Sequence, residues 1–343
     1  MATAPRRVRR RVQRRVTVLA GGYGGAKMSH GLALASAARA AAGEASLDLS
    51  IIGNTGDDLE VHGLCVSPDL DTVMYTLSGW ANESTGWGVR DETWSAKEML
   101  DRYGAPTWFG LGDRDLATHL VRTQALLAGE RLTQVTARLA SALGCPATLL
   151  PMTDDTVRTE LLVDGRWLEF QEYFVHRQHA ADVAAVRHAG VDGASPTPEA
   201  FAALAAAELI VLAPSNPFVS IGTILAVPGL REAVAAAPAP VVAVSPIVGG
   251  AALRGPADRM LQTIAGREAS AAGVVAHYRE RYPGVVDAFV IDERDAPLAD
   301  GIRDAGPEPV VILDTVMTDI AARERLGVAI LERFLSAVPD AYH

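Results

Sequence analysis

The chain has 343 residues, 49% of them hydrophobic and 21% charged, with a formal net charge of −10. That composition supports one large core, or a core with an inserted subdomain, and no apolar run reaches the ~18–20 residues that span a bilayer. The acidic balance argues against a nucleic-acid surface as the main function, and two cysteines, Cys65 and Cys145, give neither a zinc spacing nor a disulfide framework.

Residues 1–15 hold seven arginines and no acid. Without those seven, 24 of the 31 basic residues face 41 acids. The segment reads as a basic, disordered tail rather than a nucleic-acid arm, because no aromatic residues interleave the arginines. No apolar h-region follows them, so a secretory signal is not expected, and a reduced, cytoplasmic protein is.

Val16–Ala20 reads as a buried strand, Ala26–Ala42 as a small-residue helix and Leu47–Ile52 as the next strand, a β-loop-α-β unit. Residues 72–143 read as a helical insertion, with helices at Ser95–Tyr103, Asp115–Leu127 and Leu132–Leu143. Leu149–Val163 and Trp167–Val175 read as extended, with a hairpin around Asp164-Gly165. Helices follow at Pro198–Ala207, Leu225–Ala237 in part and Pro256–Ala265. They alternate with strands at Leu209–Ala213, Val241–Ser245, Ala288–Ile291 and Val310–Leu313. This alternation predicts an α/β fold with a mostly parallel sheet flanked by helices. Ligands in such sheets bind beyond the carboxyl ends of strands, which selects the loops after Ala20, Ile52, Ala213 and Ser245 as one rim.

The first rim loop, Gly21-Gly22-Tyr23-Gly24-Gly25-Ala26-Lys27, sets four glycines beside a lysine. Residues without side chains let backbone N–H groups approach a ligand, and the following helix aims its positive end there. The segment reads as a phosphate cradle, with a tight turn as the plainer alternative. It is not a P-loop, because Ala26 separates Gly25 from Lys27 and Met28 follows. Nor is it a full dinucleotide fingerprint, because Lys27 stands at the third glycine position.

The second loop, Asn54-Thr55-Gly56-Asp57-Asp58, is followed by Asp69 and Asp71. Four carboxylates this close in sequence call for a cation, and hard oxygen ligands without His or Cys favour magnesium. A helix cap is the alternative reading for any one of them, Asp71 being a candidate N-cap. The third and fourth loops offer Ser215, Asn216, Ser220 and Ser245 as hydrogen-bonding groups for a base or ribose. The insertion places Arg90, Trp94 and Lys97 near one another in sequence, then Asp113 and Arg114. Tryptophans beside cations suit stacking on a flat heterocycle, though a core Trp with surface ion pairs is an equal alternative. His119, alone on a helix, reads more readily as structural than as a base.

Taken in order, Gly21–Lys27, Asn54–Asp58, Pro68-Asp69-Leu70-Asp71-Thr72, Leu111-Gly112-Asp113-Arg114-Asp115, Pro214-Ser215-Asn216-Pro217 and Ser245-Pro246-Ile247 resemble the CofD/FbiA family, the transferases that make the deazaflavin coenzyme F420. The resemblance runs from about Val16 to Met317-Thr318-Asp319. It implies a Rossmann-like core with a helical insertion, a magnesium ion and a homodimer. It also implies transfer of a three-carbon phospho-acid from a guanosine-diphosphate-linked donor to the deazaflavin Fo, releasing GMP. Gly86-Trp87-Gly88-Val89-Arg90-Asp91-Glu92-Thr93-Trp94 is similar to the bacterial branch, whose donor carries enolpyruvate and whose product is dehydro-F420-0; archaeal relatives use the lactyl donor. Asp58 and Lys97 match positions that hold the deazaflavin, with Arg90, Trp94, Asp113 and Arg114 expected on that side. The resemblance implies Gly21, Gly22, Gly24, Gly25, Lys27, Asn54, Thr55, Ser215, Asn216, Ser220 and Ser245 on the nucleotide side. Asp57, Asp58, Asp69 and Asp71 would hold the metal, and Asp57, Asp58 and Asp71 would serve catalysis. Tyr23 departs from the smaller residue common there. A family member acting as a nucleotide-sugar-binding regulator is the alternative, and an NAD-dependent dehydrogenase is weaker, since it lacks the third glycine.

Overall fold

The structure, a computed structural model, describes residues 13–335. Residues 1–12 of the basic tail lie outside that range. Arg14 and Arg15 do not belong to a tail: they open β1 (Arg14–Ala20), pairing with Leu47 and Asp48. Arg14 is held by Glu208 at 2.9 Å and donates to the carbonyl of Leu335.

Helix α1 (Gly22–Ala41) leads to β2 (Leu47–Gly53), parallel to β1. A hairpin, β3 (Leu59–Val61) and β4 (Leu64–Val66), precedes α2 (Pro68–Leu77). Pro68 suits the first turn of α2, and Asp69 and Asp71 lie in that turn, where the helix dipole favours them. Ser67, not Asp71, occupies the cap position. Then come α3 (Ser95–Arg102), α4 (Asp113–Leu127), α5 (Leu132–Ala142) and β5 (Thr148–Pro151). β5 joins the parallel sheet beside β2 instead of extending the hairpin that follows. β6 (Arg158–Val163), β7 (Arg166–Glu169) and β8 (Ala185–Ala189) form a separate antiparallel sheet. Asp164 and Gly165 turn the hairpin with φ of 49° and 73°, the left-handed pair that a two-residue turn requires. Residues 172–175, expected to be extended, lie in a helical turn at Glu172–His176.

The second half supplies α6 (Pro198–Ala206), β9 (Leu209–Leu212), α7 (Ile221–Ala226), α8 (Leu230–Ala235) and β10 (Val241–Val244). The two-residue strands β11 (Ile247–Val248) and β12 (Ala251–Ala252) precede α9 (Ala257–Thr263) and α10 (Ala271–Arg281). β13 (Ala288–Asp292), α11 (Ala299–Asp304), β14 (Val310–Leu313) and α12 (Ile320–Ile330) follow.

Seven strands form one parallel sheet in the order β14-β13-β10-β9-β1-β2-β5. Its strands are apolar on both sides because both faces are covered. Val16, Val18 and Ala20 of β1 pack with α1 and α2 on one face, while Leu19 packs with α6, α7 and α10 elements on the other. α1 and α12 cross with their backbones touching. A Cβ on Gly31 would fall 2.2 Å from the carbonyl oxygen of Arg323, and one on Gly327 would fall 2.3 Å from that of Gly31. From β1 the chain runs outward to β2 and β5, then returns to β9 on the other side. The strand order therefore reverses between β1 and β9, and the crevice beyond their carboxyl ends is where such sheets bind ligands.

Candidate functional site

A cavity of about 730 Å3 opens at that reversal. Gly21 and Gly22 after β1 form one side, with Asn216, Val219 and Ser220 after β9 beside them. Asp57, Asp69 and Asp71 form its acidic floor. Trp87, Trp94, Trp108, Phe109, Phe170 and Phe174 form aromatic walls, and Lys97 and Arg254 are its cations.

The glycines do two different jobs. α1 already begins at Gly22, so the segment is the first turn of a helix rather than a free loop. Gly24 and Gly25 allow close packing: a Cβ on Gly24 would stand 2.4 Å from the carbonyl oxygen of Pro214, and one on Gly25 would stand 2.8 Å from Ser215 Oγ. Ser215 Oγ donates to the Gly21 carbonyl at 2.8 Å and accepts from the Gly21 N–H at 3.3 Å. Gly24, Gly25 and Ser215 thus weld the β1 and β9 loops together and stay out of the cavity. Gly21 and Gly22 remain as the cavity-lining edge of the cradle, Gly21 buried against Asp69 and Ser220. The N–H of Gly22 faces the Asp69 carboxylate, which takes an anion's usual place at the helix start.

Lys27 is not in the cradle. Its Nζ donates to the Met317 carbonyl at 2.8 Å and lies 4.5 Å from the Tyr23 ring centre. The cation that lines the cavity beside Tyr23 is Arg254, whose guanidinium lies 4.8 Å from the Tyr23 ring centre and donates to the Thr85 carbonyl. Gly86 lets it pass, since a Cβ there would collide with its guanidinium. Arg254 carried no motif in the sequence, apart from the Gly-Gly turn that precedes it.

Asn54 organises the floor. Its amide donates to Asp69 Oδ2 at 2.9 Å and to the Val219 carbonyl at 3.2 Å, and its Oδ1 accepts the Gly56 N–H. The β2 loop, α2 and the β9 loop are so fixed to one another. Thr55 is buried beside it, without lining the cavity.

The four aspartates do not converge as one set. Among the described residues, no three Asp, Glu, His or Cys side chains gather closely enough to cage a metal. Asp71 is already neutralised: Arg122, 1% exposed, grips both of its oxygens. The same network holds His119, whose Nδ1 is 3.2 Å from Arg122 and whose Nε2 is 3.2 Å from Asp115 Oδ1. Tyr75 donates to Asp115 at 2.8 Å. His119, Asp115 and Tyr75 line the cavity, and no local pattern revealed them as a group, because the ties cross from α2 to α4.

Asp57 and Asp58 differ from Asp71. Each has an Oδ1 shut off from solvent with no hydrogen-bond partner. Burial, then the charges of Asp69 and Asp58, push the Asp57 carboxyl far above its ordinary range. Burial pushes Asp69 up and raises Asp58 to about 8, against a Ser67 Oγ that donates to it at 2.8 Å. Unpartnered carboxylate oxygens in a dry floor fit a hard divalent cation that takes its remaining ligands from water and substrate oxygens. Asp58 lies behind this floor, outside the cavity lining.

On the aromatic side, Trp94 and Lys97 line the cavity, Lys97 pairing with Asp101 at 3.3 Å. Arg90, Asp113 and Arg114 do not. Asp113 accepts from Thr93 and from the N–H groups of Ser95 and Ala96, so it caps α3. Arg114 donates to the Arg90 carbonyl, and Arg90 rests on Trp80 at 5.6 Å. Their charges fix the loop that presents Trp94. Ser245 also turns away, bonding the N–H and carbonyl of Ile247 within its own turn. The opposite wall was not anticipated: Phe170 and Phe174 stack at 5.3 Å, and Trp108 stacks on His176 at 5.1 Å. An aromatic pair four residues apart was the one signal of that wall.

The profile of the family described as 2-phospho-L-lactate transferase CofD matches residues 16–335. The chain belongs to the CofD family. Among CofD relatives, a phosphoenolpyruvate transferase of Kitasatospora aureofaciens is 47% identical over 92% of this chain and 98% of its own. Those of Streptomyces coelicolor and Thermobifida fusca are each 48% identical, covering 92% and 82% of this chain and 98% and 87% of their own. A solved UPF0052 protein from Bacillus halodurans shares the fold, with a TM-score of 0.63 at 14% identity over 93% of this chain and 99% of its own. The transferase relatives make this CofD chain an enzyme of the transferase class. No helix among the described residues is long and apolar enough to cross a membrane.

Proposed function

We propose that this CofD chain transfers a phosphoenolpyruvate group from enolpyruvyl-diphosphoguanosine to the terminal ribityl hydroxyl of Fo, giving dehydro-F420-0 and GMP. One observation carries the reading: a single cavity joins an acidic floor and a glycine edge to aromatic walls sized for a flat heterocycle. A regulator that only bound a nucleotide sugar would have no use for those walls.

The hydroxyl oxygen attacks the phosphorus that bears the enolpyruvyl group. The bond from that phosphorus to the GMP oxygen breaks, and GMP leaves. Asp57, on the cavity floor, would accept the hydroxyl proton in its carboxylate form. Gly21, Gly22 and Ser220 position the diphosphate, and Arg254 faces its charge at the mouth. Trp94, Trp87 and Phe174 sandwich the acceptor ring, with Lys97 at its rim. Asp71 stays paired with Arg122, which packs on His119, while Asp115 holds Tyr75 in the wall. Asp57 and Asp69, the floor carboxylates not claimed by Arg122, would hold magnesium with water and substrate oxygens completing its shell, and when bound it would neutralise the diphosphate as it develops charge. Phosphoryl transfer of this kind is mostly positioning and electrostatics, so no covalent nucleophile is needed. The reading places the protein among the phosphotransferases for substituted phosphate groups, in the cytoplasm, as a homodimer.

Purified protein with Fo, magnesium and either the enolpyruvyl or the lactyl donor, followed by mass spectrometry, tests it. Dehydro-F420-0 and GMP are expected from the enolpyruvyl donor. Product from the lactyl donor alone would reassign the three-carbon acid, and no phosphoester from either would overturn the transferase reading.

A further inference from the structure

A second cavity of about 850 Å3 lies behind the 214–222 loop, outside everything described so far. β8 contributes His188, α8 contributes Arg231, and the end of α10 contributes His277 and Arg281. His277 is 9% exposed, and its Nε2 is buried without a hydrogen-bond partner. Phe218 lies against its ring at 4.5 Å and Tyr282 meets it edge-on at 6.2 Å, so the imidazole cannot swing away to find one. His188 Nδ1 is also buried and partnerless. Two unmet ring nitrogens buried in the wall of one cavity are an unusual deficit, because buried polar groups are nearly always paired.

The charges around them select the ligand. Arg231 is bound to Glu232, and Glu280 to Arg267, whereas Arg281 has no carboxylate within salt-bridge distance among the described residues. Burial holds both imidazoles down to about 4, helped at His188 by Arg281 and at His277 by Arg267 and then Arg281, against the Glu280 carboxylate that also lines the cavity. A cationic ligand would face an uncompensated guanidinium there. An anion would pair with that guanidinium and accept from imidazole N–H groups.

We propose that this cavity binds a small phosphate-class anion, held by Arg281 and hydrogen-bonded by His188 and His277. Phe218 and Leu225 offer an apolar side to any organic part of the ligand. The inference does not rest on the transferase reading. It does bear on the first cavity, because Pro217 and Phe218 form the wall of one while Asn216, Val219 and Ser220 line the other.

The test titrates the full chain with inorganic phosphate and, separately, with GMP, following the histidine ring nitrogens by NMR. Shifts of the His188 and His277 signals are expected, with Arg281→Ala weakening them by more than about tenfold. His277→Gln, checked for folding by circular dichroism, is expected to weaken binding in the same direction and covers the case in which Arg281→Ala misfolds. Movement with phosphate alone supports a free-anion occupant, and tighter binding of GMP supports a nucleotide. Rings that stay still with both probes up to about 10 mM, or a folded variant that binds as tightly as the parent, would overturn the proposal.

Discussion

Asp71 is gripped at both oxygens by the buried Arg122, and removing the carboxylate strands a guanidinium in the interior. Asp71→Ala is expected to destabilise by about 3–5 kcal/mol in chemical denaturation, the cost of breaking a buried ion pair from one side. Asp57→Asn is expected to behave oppositely. It removes a charge that the cation-free fold already resists, so the protein should be as stable as the parent or more so while losing most turnover. If both variants lose stability alike, the division of the floor into a structural and a working carboxylate fails. Asp58 gives the pH dependence. Its folded value of about 8 stands above the ordinary 3.8, so its contribution to stability is complete below about pH 4 and is lost as pH rises through 8. Thermal melts of the metal-free protein are expected to fall over that window, and Asp58→Asn to flatten the fall. Sequence spacing brought these aspartates to notice, yet it placed Asp71 with the metal set, because the arginine that claims it lies 51 residues away.

Helices and loops here meet at glycines rather than at side chains. Gly24→Ala would drive a methyl into the Pro214 carbonyl, a backbone atom with no freedom to yield, and is expected to cost about 1–3 kcal/mol. The effect should reach substrate binding as well, since the displaced loop carries Asn216 and Ser220; an unchanged KM beside lowered stability would count against that coupling. The cavity wall at 86–88 is tied to α12 by another device. Glu83 accepts from the buried Arg323 and from Tyr23, which hold its carboxyl down to about 2. Glu83→Gln is expected to loosen Trp87 and to raise KM for the acceptor more than it lowers kcat. Six of the seven strands of the large sheet were legible, with α1 and α6, because apolar runs alternating with small-residue helices leave few other folds; β5 was read only as part of the hairpin segment, and the helices α10, α11 and α12 were not read. The start of α1 was not. Four glycines predict a loop, and only the close approach of residues 214–215 explains why they form a helical turn instead. The caps made by Asp113 were hidden for a similar reason: its partners, Thr93 to Ala96, precede it by a loop whose path no local rule sets.

At the scale of the whole molecule, a net charge of −10 opposes the anionic donor proposed above, and the donors that attract it are few and local. Its association rate is therefore expected to rise, not fall, as salt is raised to about 0.15 M, where the screening length is about 8 Å. A rate that dropped steeply with salt in stopped flow would place a positive field at the mouth stronger than Arg254 and Lys97 supply. The parallel order and three of the four rim loops, those after β1, β2 and β9, could be read in advance because they follow from topology. The far aromatic wall could not, since it is built where the small antiparallel sheet meets the insertion, and nothing in either segment names the other. That wall also makes the enzyme its own indicator. Three of the five tryptophans, Trp87, Trp94 and Trp108, surround the cavity. A flat chromophore seated among them would drain their emission, so filling of the acceptor side should be visible as quenched intrinsic fluorescence, without a label and before any bond is made.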